Sequence, residues 1–237
     1  MPLYGIGGFC VELIPKYPTL MRQAEPYRVT EERPADFSVM PEESFLREQK
    51  GKYPEASPDM LEYVFTGSLF ARAALRHEAI VLHASAVVLD GAAYLFSAAS
   101  GTGKTTHTQM WLSHFGAERA FILNDDMPLI RRFPDGFRAC GTPFAGSTGW
   151  SRNACVKLAG ICFLERAAGN SIRRISAFEG VPLFLGQTPR ARDAELLELQ
   201  LATLDRLFRE APVYRMGCCM SPEAVLCAYE AMKGADA

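Results

Sequence analysis

Between an apolar stretch ending at Ser97 and a helix-forming stretch beginning at Lys104 lies the run Ala98-Ala99-Ser100-Gly101-Thr102-Gly103-Lys104-Thr105-Thr106. Gly101 and Gly103 let successive backbone N–H groups turn toward one point with no side chain in the way. A helix starting at Lys104 aims the positive end of its dipole at the same point. Lys104 brings a cation to β- and γ-phosphates, and Thr105 offers a hydroxyl to Mg²⁺. The run fits the phosphate-loop pattern G-x-x-x-x-G-K-[ST], with Ala98 in place of the first glycine. A chance glycine-rich turn is the alternative, and the order strand, loop, helix argues against it. Strands alternating with helices along the chain argue an α/β class, and two hairpins argue a mixed sheet.

The rest of the chain is read around this loop. Residues 1–75 carry no chemical motif. Their extended runs GIGGFCVELI and PYRVTEE predict a small N-terminal β-rich lobe with one helix, ahead of a loop-bearing domain over 76–237. Pro41 to Pro58 reads as an exposed loop. Asp59 to His77 reads as a helix with Asp59 as N-cap and Leu61, Val64, Phe65, Leu69 and Leu75 as its apolar stripe. Ala79 to Ser97 reads as a β-hairpin about Asp90-Gly91, a strong two-residue turn signal. A strand over Ala120 to Asp125 follows the helix at Lys104. Met127 to Arg132 and Phe137 to Cys140 form a second hairpin about Pro134-Asp135-Gly136. Val156 to Arg166 is a buried strand that turns at Ala168-Gly169-Asn170 and returns over Ser171 to Ser176. Ala191 to Arg209 is an amphipathic helix with Leu197, Leu201, Leu204 and Phe208 on one face. A strand over Val213 to Gly217 and a helix opened by Ser221-Pro222 complete the chain.

Composition narrows the function classes. The 237 residues carry a formal net charge of −2, so no basic field draws in nucleic acid. No apolar run reaches the roughly 18 residues that would span a membrane. The opening MPLYGIGGFCVELIPKYP lacks a basic start followed by a long apolar stretch, which points to a cytoplasmic protein. The seven cysteines follow no zinc spacing, and they are expected to be reduced thiols acting as small hydrophobes. Oligomeric state is left open.

Two further features join the loop. Ile122-Leu123-Asn124-Asp125-Asp126 is an apolar strand ending in two carboxylates. Beside a phosphate loop, one such carboxylate holds Mg²⁺ and the other takes a proton from an attacking hydroxyl. An ordinary strand-to-turn pair is the bland alternative. His83 lies in the first arm of the predicted hairpin. A two-residue turn at Asp90-Gly91 pairs Leu89 with Ala92, and the same register sets His83 opposite Ala98. Leu82 and Ala84 point to the other face. Pairing alone leaves open whether His83 meets a γ-phosphate or acceptor, or is a core histidine held by backbone groups.

LHASAVVLDGAAYLFSAASGTGKTT, followed by LNDDMPLI, resembles the catalytic domain of HPr kinase/phosphorylase. More distantly it is similar to the nucleotide site of ATP-dependent phosphoenolpyruvate carboxykinase. The nearest likeness is to small bacterial kinase-like proteins of that superfamily. The resemblance covers Val81 to Arg132 firmly, and GTPFAG at 141–146 with VKLAGICFLER more loosely. It implies a P-loop domain of the HPr kinase/carboxykinase type, ATP and Mg²⁺ as cofactors, and a peptide or small-protein serine as acceptor. It places the family's upstream histidine at His83, its P-loop at Ala98 to Thr105 and its general base in the Asp125-Asp126 pair, with Asp126 preferred. The sequence departs from the family in two places. The downstream signature that carries a glutamate reads CGTPFAGST here, without a carboxylate. The loop bearing a catalytic arginine has no clear counterpart, with Arg152 and Arg190 as candidates. The expected activity is ATP-dependent phosphoryl transfer, with Asp126, His83 and Lys104 catalytic and Thr105 and Asp125 on the metal. A nucleotide-binding regulatory or maturation partner that transfers nothing is the first alternative, and carboxykinase-like chemistry the second.

Overall fold

The computed structural model describes residues 1–31, 33–189, 191, 193–219 and 221–233. Its N-terminal part is a four-stranded sheet of β1 (Leu3–Ile6), β2 (Phe9–Glu12), β3 (Arg28–Val29) and β4 (Phe37–Ser38), in the order β3-β1-β2-β4. Helix α1 (Pro18–Ala24) lies between β2 and β3, and α2 (Glu43–Lys52) and α3 (Pro58–Leu75) follow β4. The second sheet is built from β5 (Ala79–Val81), β6 (Ala84–Leu89), β7 (Ala92–Ser97), β8 (Ala120–Asn124), β9 (Leu129–Phe133), β10 (Gly136–Cys140), β11 (Cys155–Arg166), β12 (Ser171–Arg174) and β13 (Val213–Cys218). Helices α4 (Lys104–Phe115), α5 (Ala177–Gln187), α6 (Ala194–Glu210) and α7 (Pro222–Met232) cover it. The class is α/β with a mixed sheet.

The main path through this sheet is β5-β9-β10-β11-β7-β6-β8. The long β11 forks it. Its first residues pair with β10, and its residues from Ile161 onward pair with β13, which carries β12 on its far side. β7, β11 and β13 run parallel, whereas β6 is antiparallel to both its neighbours β7 and β8. The start of β6 therefore lies at the same sheet edge as the ends of β7 and β8. That edge receives His83, the 98–105 loop and the two aspartates together, at the carboxyl ends of the parallel strands.

Strand alternation sorts the core into two faces. Val87, Leu89, Tyr94, Phe96 and Met216 pack beneath α4 and α7, centred on the fully buried Trp111. Ala86, Val88, Leu95, Ile161 and Phe163 pack beneath α5 and α6, against Phe184, Leu204 and Leu207. A third cluster joins the N-terminal sheet and α3 to Leu129 and Cys140 of the larger sheet and to Phe144 of the loop that follows β10. The N-terminal strands thus bury their apolar side against the second sheet.

Several sequence expectations change. The segment from Pro41 to Pro58 is largely α2, amphipathic only weakly and mostly exposed, which hides it from a hydrophobic-period search. The N-cap of α3 is Ser57, whose hydroxyl accepts from Met60 N, while Asp59 turns outward to accept from Thr19. Val64 of the expected stripe is 48% exposed, and the buried face runs through Leu61, Thr66, Phe70, Ala74 and Leu75. β5 leaves the expected first hairpin and pairs with β9, so that hairpin is confined to β6 and β7. β12 pairs with β13, not with β11. Helix α6 begins at Ala194, capped by Asp193, and Leu197 and Leu201 face solvent while Leu196, Leu204 and Leu207 are buried. Helix α5 was not foreseen. Cys140 and Cys155, facing each other across β10 and β11, form a disulfide, so these two are not reduced thiols. Cys218 and Cys219 are both free.

Candidate active site

The loop leaves β7 after Ser97 and enters α4 at Lys104. Gly103 is the N-cap of α4 with φ +112, a conformation closed to most side chains, and no side chain caps the helix. The first-turn amides of α4 are therefore left to an outside acceptor. Lys104 is only 9% exposed, and its ammonium donates to Ala98 O at 3.1 Å. Burial pushes the Lys104 ammonium below the usual lysine range, and Asp126 and Asp125 pull the other way. A further anion beside it would relieve that desolvation.

The aspartates differ in their surroundings. Asp125, 7% exposed, accepts from Ser85 at 2.7 Å through Oδ1 and from Thr105 at 3.1 Å through Oδ2. Ser85 Oγ also lies 2.7 Å from Thr108 Oγ1, so β6, β8 and α4 meet at this carboxylate. Asp126 is more open. Its Oδ1 lies 3.2 Å from His83 Nε2, and its side chain is 29% exposed. His83 Nδ1 lies 3.1 Å from Gln187 Oε1 at the end of α5, so the ring is pinned from both sides. The β6–β7 register is the expected one, Leu89 opposite Ala92 through Ala84 opposite Ser97, and His83 O accepts from Ser97 Oγ just beyond it. The ring lines the cleft beside the loop and is not packed into apolar core.

Asn124 fixes the turn that presents the pair. Its Oδ1 accepts from Asp126 N and Met127 N, and its Nδ2 donates to Thr142 O at 2.9 Å. The facing wall is the 145–148 segment. Gly146, at φ +64, lies so close that a Cβ there would sit 3.1 Å from Asp126 Cβ. The N-terminal helices hold this wall. Gln23 of α1 accepts from Ala145 N and donates to Gly146 O, and Tyr63 of α3 accepts from Gly146 N at 2.8 Å. Tyr63 also donates to Gln23.

Together these groups enclose a cleft of about 430 Å³, reached by His83, Lys104, Thr105, both aspartates and Gly146. Of the expected site residues, Ser100, Gly101, Gly103, Lys104, Thr105, Thr106, His83, Asp125 and Asp126 line it. Ala98 is buried beneath it, and Ala99 and Thr102 complete the loop without lining it. Arg152 does not reach the cleft, because its guanidinium stacks on Phe121 at 4.2 Å. Arg190 lies outside the described residues. Sequence reasoning missed Ser85, Asn124 and Gln187, as well as the Gln23 and Tyr63 buttress. Asn124, directly before the aspartates, and Ser85, within LHAS, stand in the motif runs with no role that spacing alone reveals.

Oxygen donors dominate the metal side. Thr105 Oγ1 and Asp125 Oδ2, 3.1 Å apart, form a hard donor pair, while the more open Asp126 carboxylate lies against His83, and Mg²⁺ commonly takes one or two carboxylates and fills its shell with water and phosphate oxygens. The described residues contain no cluster of three or more His, Cys, Asp or Glu ligands. The residues present would fit a Mg²⁺ held by a few protein oxygens, and not an all-protein cage. No helix among the described residues is long and apolar enough to cross a membrane. No protein-family model matches the chain, and no curated protein matches it significantly.

Proposed function

We propose that the chain binds ATP with Mg²⁺ and moves its γ-phosphoryl group to a hydroxyl, a serine of a peptide or small protein. The observation that carries this is the buried Lys104 at the uncapped start of α4, facing two aspartates of different exposure. The loop amides and Lys104 hold the phosphates and stabilise charge as it shifts. Thr105 and Asp125 would hold Mg²⁺, which would neutralise the phosphate charge. The acceptor oxygen bonds to the γ-phosphorus as the bond to the β–γ bridging oxygen breaks, and ADP leaves. Asp126 takes the acceptor proton. His83, held by Gln187, fixes the Asp126 carboxylate.

One observation favours the reading without transfer. The 145–148 wall brings backbone and hydroxyl groups but no carboxylate or arginine to the cleft. Among the described residues no arginine lines the cleft to support carboxykinase-like chemistry. The test is an acceptor screen with γ-labelled ATP, followed by two variants. Asp126→Asn is expected to keep nucleotide affinity and lose about 10²- to 10⁴-fold in turnover. Asp125→Asn is expected to raise the Mg²⁺ requirement. Wild-type turnover in both variants would contradict the roles, and no transfer by wild type to any acceptor would favour the binding partner.

A further inference from the structure

The cleft accounts for only one side of the loop. The other side opens into a second hollow of about 440 Å³, formed where β11 and β13 end. It shares Gly101, Gly103 and Thr106 with the cleft, and adds Thr102, Arg166, Ala167, Cys218 and Cys219. Arg166 donates to Gly101 O at 2.7 Å, which ties the end of β11 to the loop. The Cys219 N–H donates to Asn170 Oδ1 at 3.0 Å, and its thiol, partly exposed and in no disulfide, donates to Ser221 Oγ at 3.7 Å.

The two hollows are chemically unlike. Every side chain that acts on a terminal phosphate or an acceptor, namely Lys104, Asp125, Asp126 and His83, belongs to the first. Among the described residues the second has no carboxylate, one guanidinium, the hydroxyls of Thr102 and Thr106, and the small apolar surface of Ala167 and the cysteines. A polyphosphate chain that keeps its terminal group beside Lys104 and follows the amides toward Thr106 delivers its other end to the second hollow. The size lies within the range of small-ligand sites. A planar base stacks on a guanidinium and packs against thiols and methyl groups, and a ribose adds hydroxyls for the same arginine.

We infer that the hollow between the loop and the ends of β11 and β13 is the nucleoside subsite, with Arg166 and Cys219 against the ligand. The inference rests on the phosphate-binding role proposed for the loop. It makes Cys219 a reporter that distinguishes a nucleotide from a bare polyphosphate.

The experiment is a thiol footprint on the full chain. Iodoacetamide converts a thiol to a thioether with release of iodide and a proton, and peptide mass spectrometry reads each cysteine separately. Cys227 of α7, partly exposed and not lining the hollow, is the internal reference. Mg-ATP and Mg-tripolyphosphate are each used at concentrations that saturate a thermal shift. The expected result is that ATP slows alkylation of Cys219 about tenfold or more, as occupancy above nine-tenths requires, while tripolyphosphate leaves it within about twofold and Cys227 is unchanged by either. Equal protection by both ligands would overturn the inference, because the phosphates alone would then account for it. Thermal shifts with both ligands and protection by neither would overturn it and leave the phosphate role standing. No thermal shift with either ligand would remove the phosphate role and the subsite together. Cys219→Phe fills the hollow and is expected to weaken ATP about tenfold with tripolyphosphate unaffected. Equal ATP affinity in that folded variant would also overturn the subsite.

Discussion

At the scale of single residues, two histidines show how placement decides chemistry. His83 stands at the sheet edge with one ring nitrogen toward Asp126 and the other toward Gln187. His107, one α4 turn below the loop, is fully buried between Phe96 and Trp111. Trp111 Nε1 donates to His107 Nε2 at 3.2 Å, which leaves Nδ1 as the protonated nitrogen, toward Cys218. Burial pulls the His107 imidazolium down to about 4 from the ordinary 6.5. The folded state therefore keeps this ring neutral where the unfolded chain would bind a proton. Its contribution to stability is complete above pH 6.5 and is lost as pH falls toward 4. The loss amounts to about 3 kcal/mol across that window. His107→Gln, which keeps an acceptor for Trp111, is expected to flatten the acid limb of a urea-midpoint profile. An unchanged slope between those pH values would show that His107 does not titrate this way.

At the scale of elements, the site depends on how β7 becomes α4. Gly103 ends the loop in a left-handed conformation and starts the helix without a side-chain cap. Gly103→Ala is expected to lower stability by about 1–2 kcal/mol through backbone strain, and to remove most nucleotide binding, because the α4 amides would turn away from the phosphates. Urea unfolding and ATP titration on the same variant check both. The element pattern also explains what was legible in advance. The glycine loop, the Asp90-Gly91 turn and the aspartate pair are local signals, each written within a few residues, and the β6–β7 register that sets His83 beside the loop follows from the turn by counting. The pairing of β5 with β9 and of β12 with β13 joins distant segments, and no local signal encodes it. Helix α5 has a capping box at Ser176 and Glu179, but Gly180, Pro182 and Gly186 within it obscure a helical pattern. With α5 unseen, Gln187 had no place from which to reach His83. The α2 segment failed for a different reason, since its polar composition reads as loop and its helix leans on α3.

At the scale of the whole molecule, residues 1–75 are structurally part of the site. Glu62 of α3, buried and raised in pKa by desolvation, accepts from Lys16 N and Tyr17 N at the start of α1. Gln23 and Tyr63 then carry α1 and α3 onto the wall opposite the aspartates. Tyr63→Phe removes the acceptor for Gly146 N and is expected to cost about 1 kcal/mol of stability, with turnover falling more than nucleotide affinity. A loss of nucleotide affinity with turnover per bound nucleotide unchanged would contradict a role at the acceptor wall. The central claim, that the edge of the larger sheet is a nucleotide phosphate site built around Lys104, is tested most directly by thermal unfolding with and without Mg-ATP. Ligand at about 100 times its dissociation constant stabilises the folded chain by about 2.7 kcal/mol, and for a chain of this length that raises Tm by about 5–10 °C. Lys104→Ala, folded by circular dichroism, is expected to lose most of that shift at the same concentration. Equal shifts in wild type and Lys104→Ala, or no shift in wild type at millimolar Mg-ATP, would contradict the claim.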